Sequence, residues 1–240
     1  CRRLVDRHPQ VGPMWWLASR ILFAPDPVAE AWRVAEELDS DPTAATLAAH
    51  LPDGASVVVL GWPEDVGSAL RRRGDLAVLV VDTLGDGAGL ARRLRSGGSD
   101  VVEVPESGLG SAVAAADLVL VEALALGGRP PGSPDGGGEA GDYGAVAVSG
   151  SWAAAAVAAS AGVPIWLVAG AGRVLPVRLW EALNRRLDDE PDETWERPFE
   201  VVPLGLFDRV AGPAGLESPE SALGRADCPV VPELLRPMGG

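Results

Sequence analysis

Gly144 to Gly170, GAVAVSGSWAAAAVAASAGVPIWLVAG, is the stretch on which the fold reading turns. Ala145 to Val148 is a short apolar run, too short for a helix, and reads as a buried strand. Ser149-Gly150-Ser151 turns the chain. The alanine-rich run Trp152 to Ala161 is long enough for a helix, with Ser149 or Ser151 as its cap. Gly162 ends that helix and Pro164 enforces the stop. Ile165 to Val168 is a second apolar strand. Strand, helix and strand on buried runs predict a βαβ unit, and with it a parallel sheet covered by helices. The Gly150-Ser151 turn opens a helix. Its free N–H groups and positive dipole end either receive an anion or are merely capped.

Outward from this unit, strands and helices alternate back to residue 53. Ser56 to Leu60, Leu76 to Val81, Val101 to Val104 and Leu118 to Val121 are the strands. Glu64 to Arg73, Leu90 to Leu94 and Ser111 to Ala116 are the helices between them. On the other side, Pro176 to Leu187 is a helix, Asp188 to Pro198 an acidic loop and Glu200 to Leu204 a last strand. The tail from Asp208 is rich in turns and holds one short helix, Ser218 to Leu223. Residues 127–143 are dominated by Gly and Pro and read as a mobile loop. Before Pro52-Asp53-Gly54 the pattern is helical, with Asp26-Pro27 and Asp41-Pro42 as helix openings. Trp15 and Trp16 in that segment read as core between helices. The expected class is α/β: a Rossmann-like parallel-sheet domain over 53–240, preceded by a small helical domain over 1–52.

The totals narrow the function. The chain has 240 residues, 47% of them hydrophobic, and a net charge of −14. That content supplies a core, and the charge disfavours nucleic acid and anionic membranes as partners. No lysine occurs among the 20 basic residues, which removes Schiff-base chemistry and a Walker-type phosphate loop. Cys1 and Cys228 give neither a disulfide framework nor a zinc cluster, so no metal is expected and a reducing, cytoplasmic setting is. No apolar run reaches membrane-spanning length. The chain begins at Cys1 with Arg2-Arg3 entering a helical pattern, which reads as a trimmed start rather than a lipid-modified cysteine.

Candidate chemistry is sparse. Asp82 to Gly89, DTLGDGAG, follows a strand and enters a helix, as dinucleotide and methyltransferase loops do. Its glycines miss the usual offsets, so it reads as a permissive turn and no cofactor is expected. Gly61-Trp62-Pro63-Glu64-Asp65 lies where the first strand ends, the usual place for a site in an open α/β sheet. Its two acids either form an acid–base pair or favour a helix dipole. Glu122 follows the apolar LVLV and must be paired or reach a site, next to the Gly150-Ser151 turn in this reading. His8 and His50 have no triad partners, and Cys228 has no activator.

Taken in order, RHPQVGPMWWLA, SVVVLGWPEDVGSAL, LAVLVVDTLGDGAGLARRL, SDVVEVPESGLGSAVAAADLVLVEALAL, GAVAVSGSWAAAAVAASAGVPIWLVA and FEVVPLGLFDRV resemble a known family across nearly the whole chain. It comprises the translation initiation factor 2B regulatory subunits, methylthioribose-1-phosphate isomerase and ribose-1,5-bisphosphate isomerase. The resemblance implies a helical N-terminal domain, a Rossmann-like domain and a homodimer through the latter. It also implies emptied catalytic positions. Gly61 stands in the slot of the isomerases' cysteine and Leu124 in that of their aspartate. Ala147-Val148-Ser149-Gly150-Ser151 replaces an Asn-Lys-x-Gly-Thr phosphate motif, and Asp82-Thr83-Leu84-Gly85 replaces Glu-Ser-Arg-Pro.

The expectation is therefore a non-catalytic binding or regulatory protein, with Gly61, Trp62, Glu122, Gly150 and Ser151 toward a phosphorylated sugar or nucleotide. The alternatives are an isomerase using Glu122, a methyltransferase using DTLGDGAG, and a scaffold using the tryptophan-rich N-terminal helices.

Overall fold

The computed structural model describes residues 1–129, 143–189 and 192–236. Four helices open the chain: α1 (Arg2–Arg7), α2 (Gly12–Phe23), α3 (Pro27–Asp39) and α4 (Thr43–His50). Asp26 caps α3 by accepting from the Val28 and Ala29 amides at 3.1 and 3.0 Å. Asp41 does the same for α4 through the Thr43 amide at 2.9 Å and its hydroxyl at 2.6 Å. Both capping acids satisfy amides that the first helical turn leaves without partners.

The alternating region follows: β1 (Ser56–Leu60), α5 (Glu64–Leu70), β2 (Ala77–Asp82), α6 (Gly87–Ser96), β3 (Asp100–Pro105), α7 (Leu109–Ala115) and β4 (Leu118–Gly128). Then come β5 (Tyr143–Val148), α8 (Ser151–Ala161), β6 (Ile165–Val168), β7 (Val174–Leu175), α9 (Val177–Asp188) and β8 (Phe199–Pro203). The tail holds β9 (Arg209–Gly212), β10 (Gly215–Glu217), α10 (Pro219–Leu223) and α11 (Pro232–Leu235). The main sheet has the order β10-β9-β6-β4-β1-β2-β3, all parallel except for the β9–β10 pair. The class is α/β with a mostly parallel, Rossmann-like sheet.

Strand parity builds the two faces. Val58, Leu60, Val119 and Val121 pack with Val113 of α7 and Ala154, Ala155 and Ala158 of α8. Val57, Val59, Leu118 and Leu120 pack with Leu47, Val66, Leu90 and Leu94 of α4, α5 and α6. Burial on both faces explains why these strands are continuous apolar runs. A third core joins Val5, Trp15, Trp16 and Val34 to Leu179, Trp180 and Leu183 of α9 and Leu234 of α11. Trp15 and Trp16 are thus core, as expected.

The stretch 144–170 departs from expectation in one respect. β5 and β6 are not parallel partners. β5 runs antiparallel to β4 and β8, whereas β6 runs parallel to β4 and β9. The cause lies in β4, which spans 11 residues and passes straight through Glu122. Its first half pairs with β1 and β6. After a bulge between Ala123 and Ala125, its second half pairs with β5 and β7. A bulge re-aims a strand, and here it divides the sheet into two leaves. Gly127, Gly128 and Tyr143 therefore belong to strands rather than to the expected loop; residues 130–142 of that loop lie outside the described residues. Two further corrections concern the tail. β8 is followed by β9 and β10, whose runs of four and three residues are too short to register as strands by periodicity. A second short helix, α11, follows α10.

Candidate functional site

From the sheet edge at β3 the chain returns to the far side of β1 as β4. The boundary between β1 and β4 is the topological switch point, where open α/β sheets hold their sites beyond the strands' carboxyl ends. Side chains from opposite faces of the sheet reach it in two clusters.

The first cluster lies toward α8. Gly61 has φ +62°, a conformation that favours glycine, and its amide donates to Val81 O at 2.9 Å. A Cβ on Gly61 would lie 3.5 Å from Asp86 Oδ1, 3.6 Å from Val148 Cγ2 and 3.7 Å from Thr83 Oγ1. A Cβ on Gly150 would lie 3.3 Å from Thr83 Cγ2. Gly61 and Gly150 therefore flank Thr83. Thr83 Oγ1 and Ser151 Oγ are buried with no hydrogen-bond partner. Gly150, at φ +93°, takes the cap position of α8 that the sequence reading gave to a serine, and Ser151 is the first helical residue. The positive end of α8 already has a carboxylate, since Glu200 Oε1 accepts from the Trp152 amide at 2.8 Å. Trp62 turns away and lies over α6, where a Cβ on Gly89 would run into its ring. Asp82 Oδ1 accepts from the Gly85 and Gly87 amides at 2.7 and 3.2 Å, so it holds its own loop in the DTLGDGAG turn.

The second cluster lies on the α5 face. Glu122 has the parity of Leu118 and Leu120, so it points away from Gly150-Ser151, not toward it as expected. Glu122 Oε2 accepts from the Asp65 and Val66 amides at 2.8 and 3.0 Å, at the start of α5. Its other oxygen lies 3.0 Å from Arg173, which also reaches Asp65 Oδ2 at 2.9 Å and Ala123 O. Asp41 Oδ2 accepts from the Ala171 amide at 2.6 Å. Gly170 admits this arrangement, because a Cβ there would lie 2.6 Å from Asp41 Oδ2 and 2.7 Å from Asp65 Oδ2. Two carboxylates, Asp65 and Glu122, thus pair with one guanidinium, and a third, Asp41, lies beside them. Burial pushes the Asp65 carboxyl up to about 6; Arg173 opposes this, while Glu122 and Asp41 add to it. Burial wins because Arg173 is shared between two acids.

The positions assigned by resemblance are apolar or backbone. Gly61 has no side chain to offer. Leu124 lies between the bulge residues of β4 and packs on the third core, and its carbonyl lies 2.9 Å from where a Cβ on Gly12 would be. Cys228 is buried and its thiol is pushed up to about 12 by that burial, which leaves it unreactive at neutral pH. His50 Nδ1 lies 2.8 Å from Thr46 O within its own helix. Among the described residues no group of three His, Cys, Asp or Glu is arranged to hold a metal ion, and no helix is long and apolar enough to cross a membrane.

Sequence reading singled out neither Arg173 nor Asp41 nor Glu200 for the site. A signal existed for Arg173: it is a lone cation following a buried strand and a Gly-Ala-Gly turn, where β6 delivers the chain to the sheet's carboxyl edge.

A mostly parallel sheet with a bulged central strand and a helical preface defines a particular class of α/β protein. No protein-family model matches the chain, and no curated protein sequence does. Solved structures do. The translation initiation factor eIF-2B of Pyrococcus horikoshii superposes with a TM-score of 0.70 at 14% identity, covering 92% of this chain and 80% of that one. The eIF2B delta subunit of Chaetomium thermophilum gives 0.61 at 19%, covering 86% and 74%. A chain of the tetrameric eIF2B-beta2-delta2 complex from C. thermophilum gives 0.51 at 24%, covering 61% of this chain and 46% of that one. The chain has the eIF2B-like fold.

Proposed function

We propose that this chain is a non-catalytic, eIF2B-like binding or regulatory protein, built on an isomerase scaffold whose reactive side chains have been replaced. One observation carries the reading. Isomerisation of a sugar phosphate needs groups that move protons or hydride at adjacent carbons. The slot for the thiol holds a glycine at positive φ, and the slot for the acid holds a leucine packed into a core. Glu122, the nearest acid along the strand, is taken up by two amides and Arg173. It is unavailable as a base in this arrangement.

The ligand we assign is a phosphorylated sugar or nucleotide at the Gly61 and Gly150 turns. The buried, unpartnered hydroxyls of Thr83 and Ser151 support it, since such groups ordinarily find partners. Glu200 at the α8 N-terminus weakens this affinity by competing for the same positive end. Isothermal titration with ribose phosphates and nucleoside monophosphates tests this. Saturable heat that disappears in Ser151→Ala is expected; flat traces for every compound remove the ligand. We also infer a homodimer through the α/β domain; that the similar beta and delta subunits assemble into a tetramer favours oligomerisation in general. Light scattering should return a mass near twice 24.7 kDa.

A further inference from the structure

A groove of about 430 Å³ lies on the side of the molecule where α8 begins and α9 ends. Trp152, Trp195, Leu187 and Phe199 give it an aromatic and aliphatic lining, and Asp188 and Glu200 add carboxylates. Trp195 is 78% exposed and Trp152 48%, although they come from separate segments of the chain. Exposed indoles gathered at one groove mark a surface that binds something, because scattered exposure would need no explanation and convergence does.

The charge around the groove says what. Asp188, Asp189, Asp192, Glu193 and Glu196 are all exposed on the segment leading into it. Arg197, the cation among the lining residues, spends donors on backbone: its guanidinium reaches Leu187 O at 2.8 Å and Asp192 O at 3.0 Å, which holds the turn carrying Trp195 in place. Indole faces attract cations, and a planar guanidinium both stacks on an indole and pairs with a carboxylate through parallel hydrogen bonds. The row of acids extends past the groove, further than one small cation needs, and suits a chain of several positive charges.

We propose that the Trp152–Trp195 groove docks an arginine-bearing segment of a protein partner, with an arginine against the indoles and further basic residues against Asp188, Asp189, Asp192, Glu193 and Glu196. This groove adjoins the Gly61 and Gly150 turns through Trp152 and Glu200, and the proposal does not depend on a ligand at those turns.

The test is isothermal titration of the full chain with an acetylated, amidated nine-residue peptide carrying three arginines among glycines and leucines. The control replaces each arginine by citrulline, which keeps the shape and removes the charge. The expected result is saturable binding of the arginine peptide, about tenfold weaker with citrulline, and weaker again when salt is raised from about 50 to 300 mM. Trp195→Ala and Trp152→Ala should each weaken it about threefold to fivefold. Asp188→Asn, a change at an exposed helix end that leaves packing intact, should weaken it as well. Equal binding of the two peptides, no saturable binding of either, or unchanged affinity in all three variants would overturn the proposal. So would self-association in sedimentation that Trp195→Ala abolishes, since a second copy would then be the occupant.

Discussion

Asp65→Asn isolates the one strongly perturbed acid at the switch point. Asp65 has a carboxyl pushed up to about 6 from an ordinary 3.8, with burial as the main cause. An acid whose folded value is raised binds more proton in the folded state between those two values. Its contribution to stability is therefore fully present below 3.8 and is lost as pH rises through 6. Integrated from pH 5 to pH 8, that loss is on the order of 1 kcal/mol. The lower limit of pH 5 keeps the protein above its pI of about 4.5. The asparagine amide carries no titrating group and still offers Arg173 an oxygen. Urea unfolding of both proteins, followed by tryptophan fluorescence, should show wild type losing on the order of 1 kcal/mol relative to Asp65→Asn across that range, most of it below pH 7. Subtracting the variant removes the other carboxylates, several of which titrate in the opposite sense. A difference independent of pH would mean that Asp65 is not perturbed. Wild type gaining on the variant as pH rises would mean that Arg173 outweighs burial, and the physical account of the cluster would be wrong.

Three other perturbations have expected outcomes. Glu200→Gln removes the carboxylate from the α8 N-terminus; it should cost about 1 kcal/mol in urea unfolding and raise affinity for inorganic phosphate in titration calorimetry. Gly172→Ala places a Cβ 2.7 Å from the buried Trp16 ring at φ +72° and should destabilise by about 2–4 kcal/mol in the same unfolding assay. Arg186→Met removes a buried guanidinium that reaches Asp6 Oδ1 at 3.0 Å, Ala182 O and Arg236 O at 3.1 Å and lies over Trp15. It should cost about 2–4 kcal/mol, with amide exchange in α1 and α9 rising together.

What sequence could reveal was whatever local periodicity encodes. β1, β2, β3 and the helix openings at Asp26 and Asp41 were legible, because an apolar run or a capping acid acts within a few residues of itself. The direction of β5 was not. A buried strand has the same composition whether its neighbour runs parallel or antiparallel, and the deciding event, the bulge in β4, lies about 20 residues upstream. β4 itself read as ending at Val121, since a carboxylate in an apolar run looks like a boundary. Only the fold supplies Glu122 with Arg173 and two amides, and so lets the strand continue. Gly61 and Gly150 were recognised as turn glycines, and their meeting around Thr83 comes from sheet order alone. Arg173, Asp41 and Asp65 come from three distant segments, and no spacing rule joins them.

Turnover is the most direct test of the proposed loss of catalysis. Wild-type protein incubated with ribose 1,5-bisphosphate and, separately, with methylthioribose 1-phosphate should yield no ketose product above the uncatalysed background. Product formation by wild type that vanishes in Glu122→Gln would contradict the account, because Glu122 would then be working as a base despite its engagement with Arg173 and the start of α5.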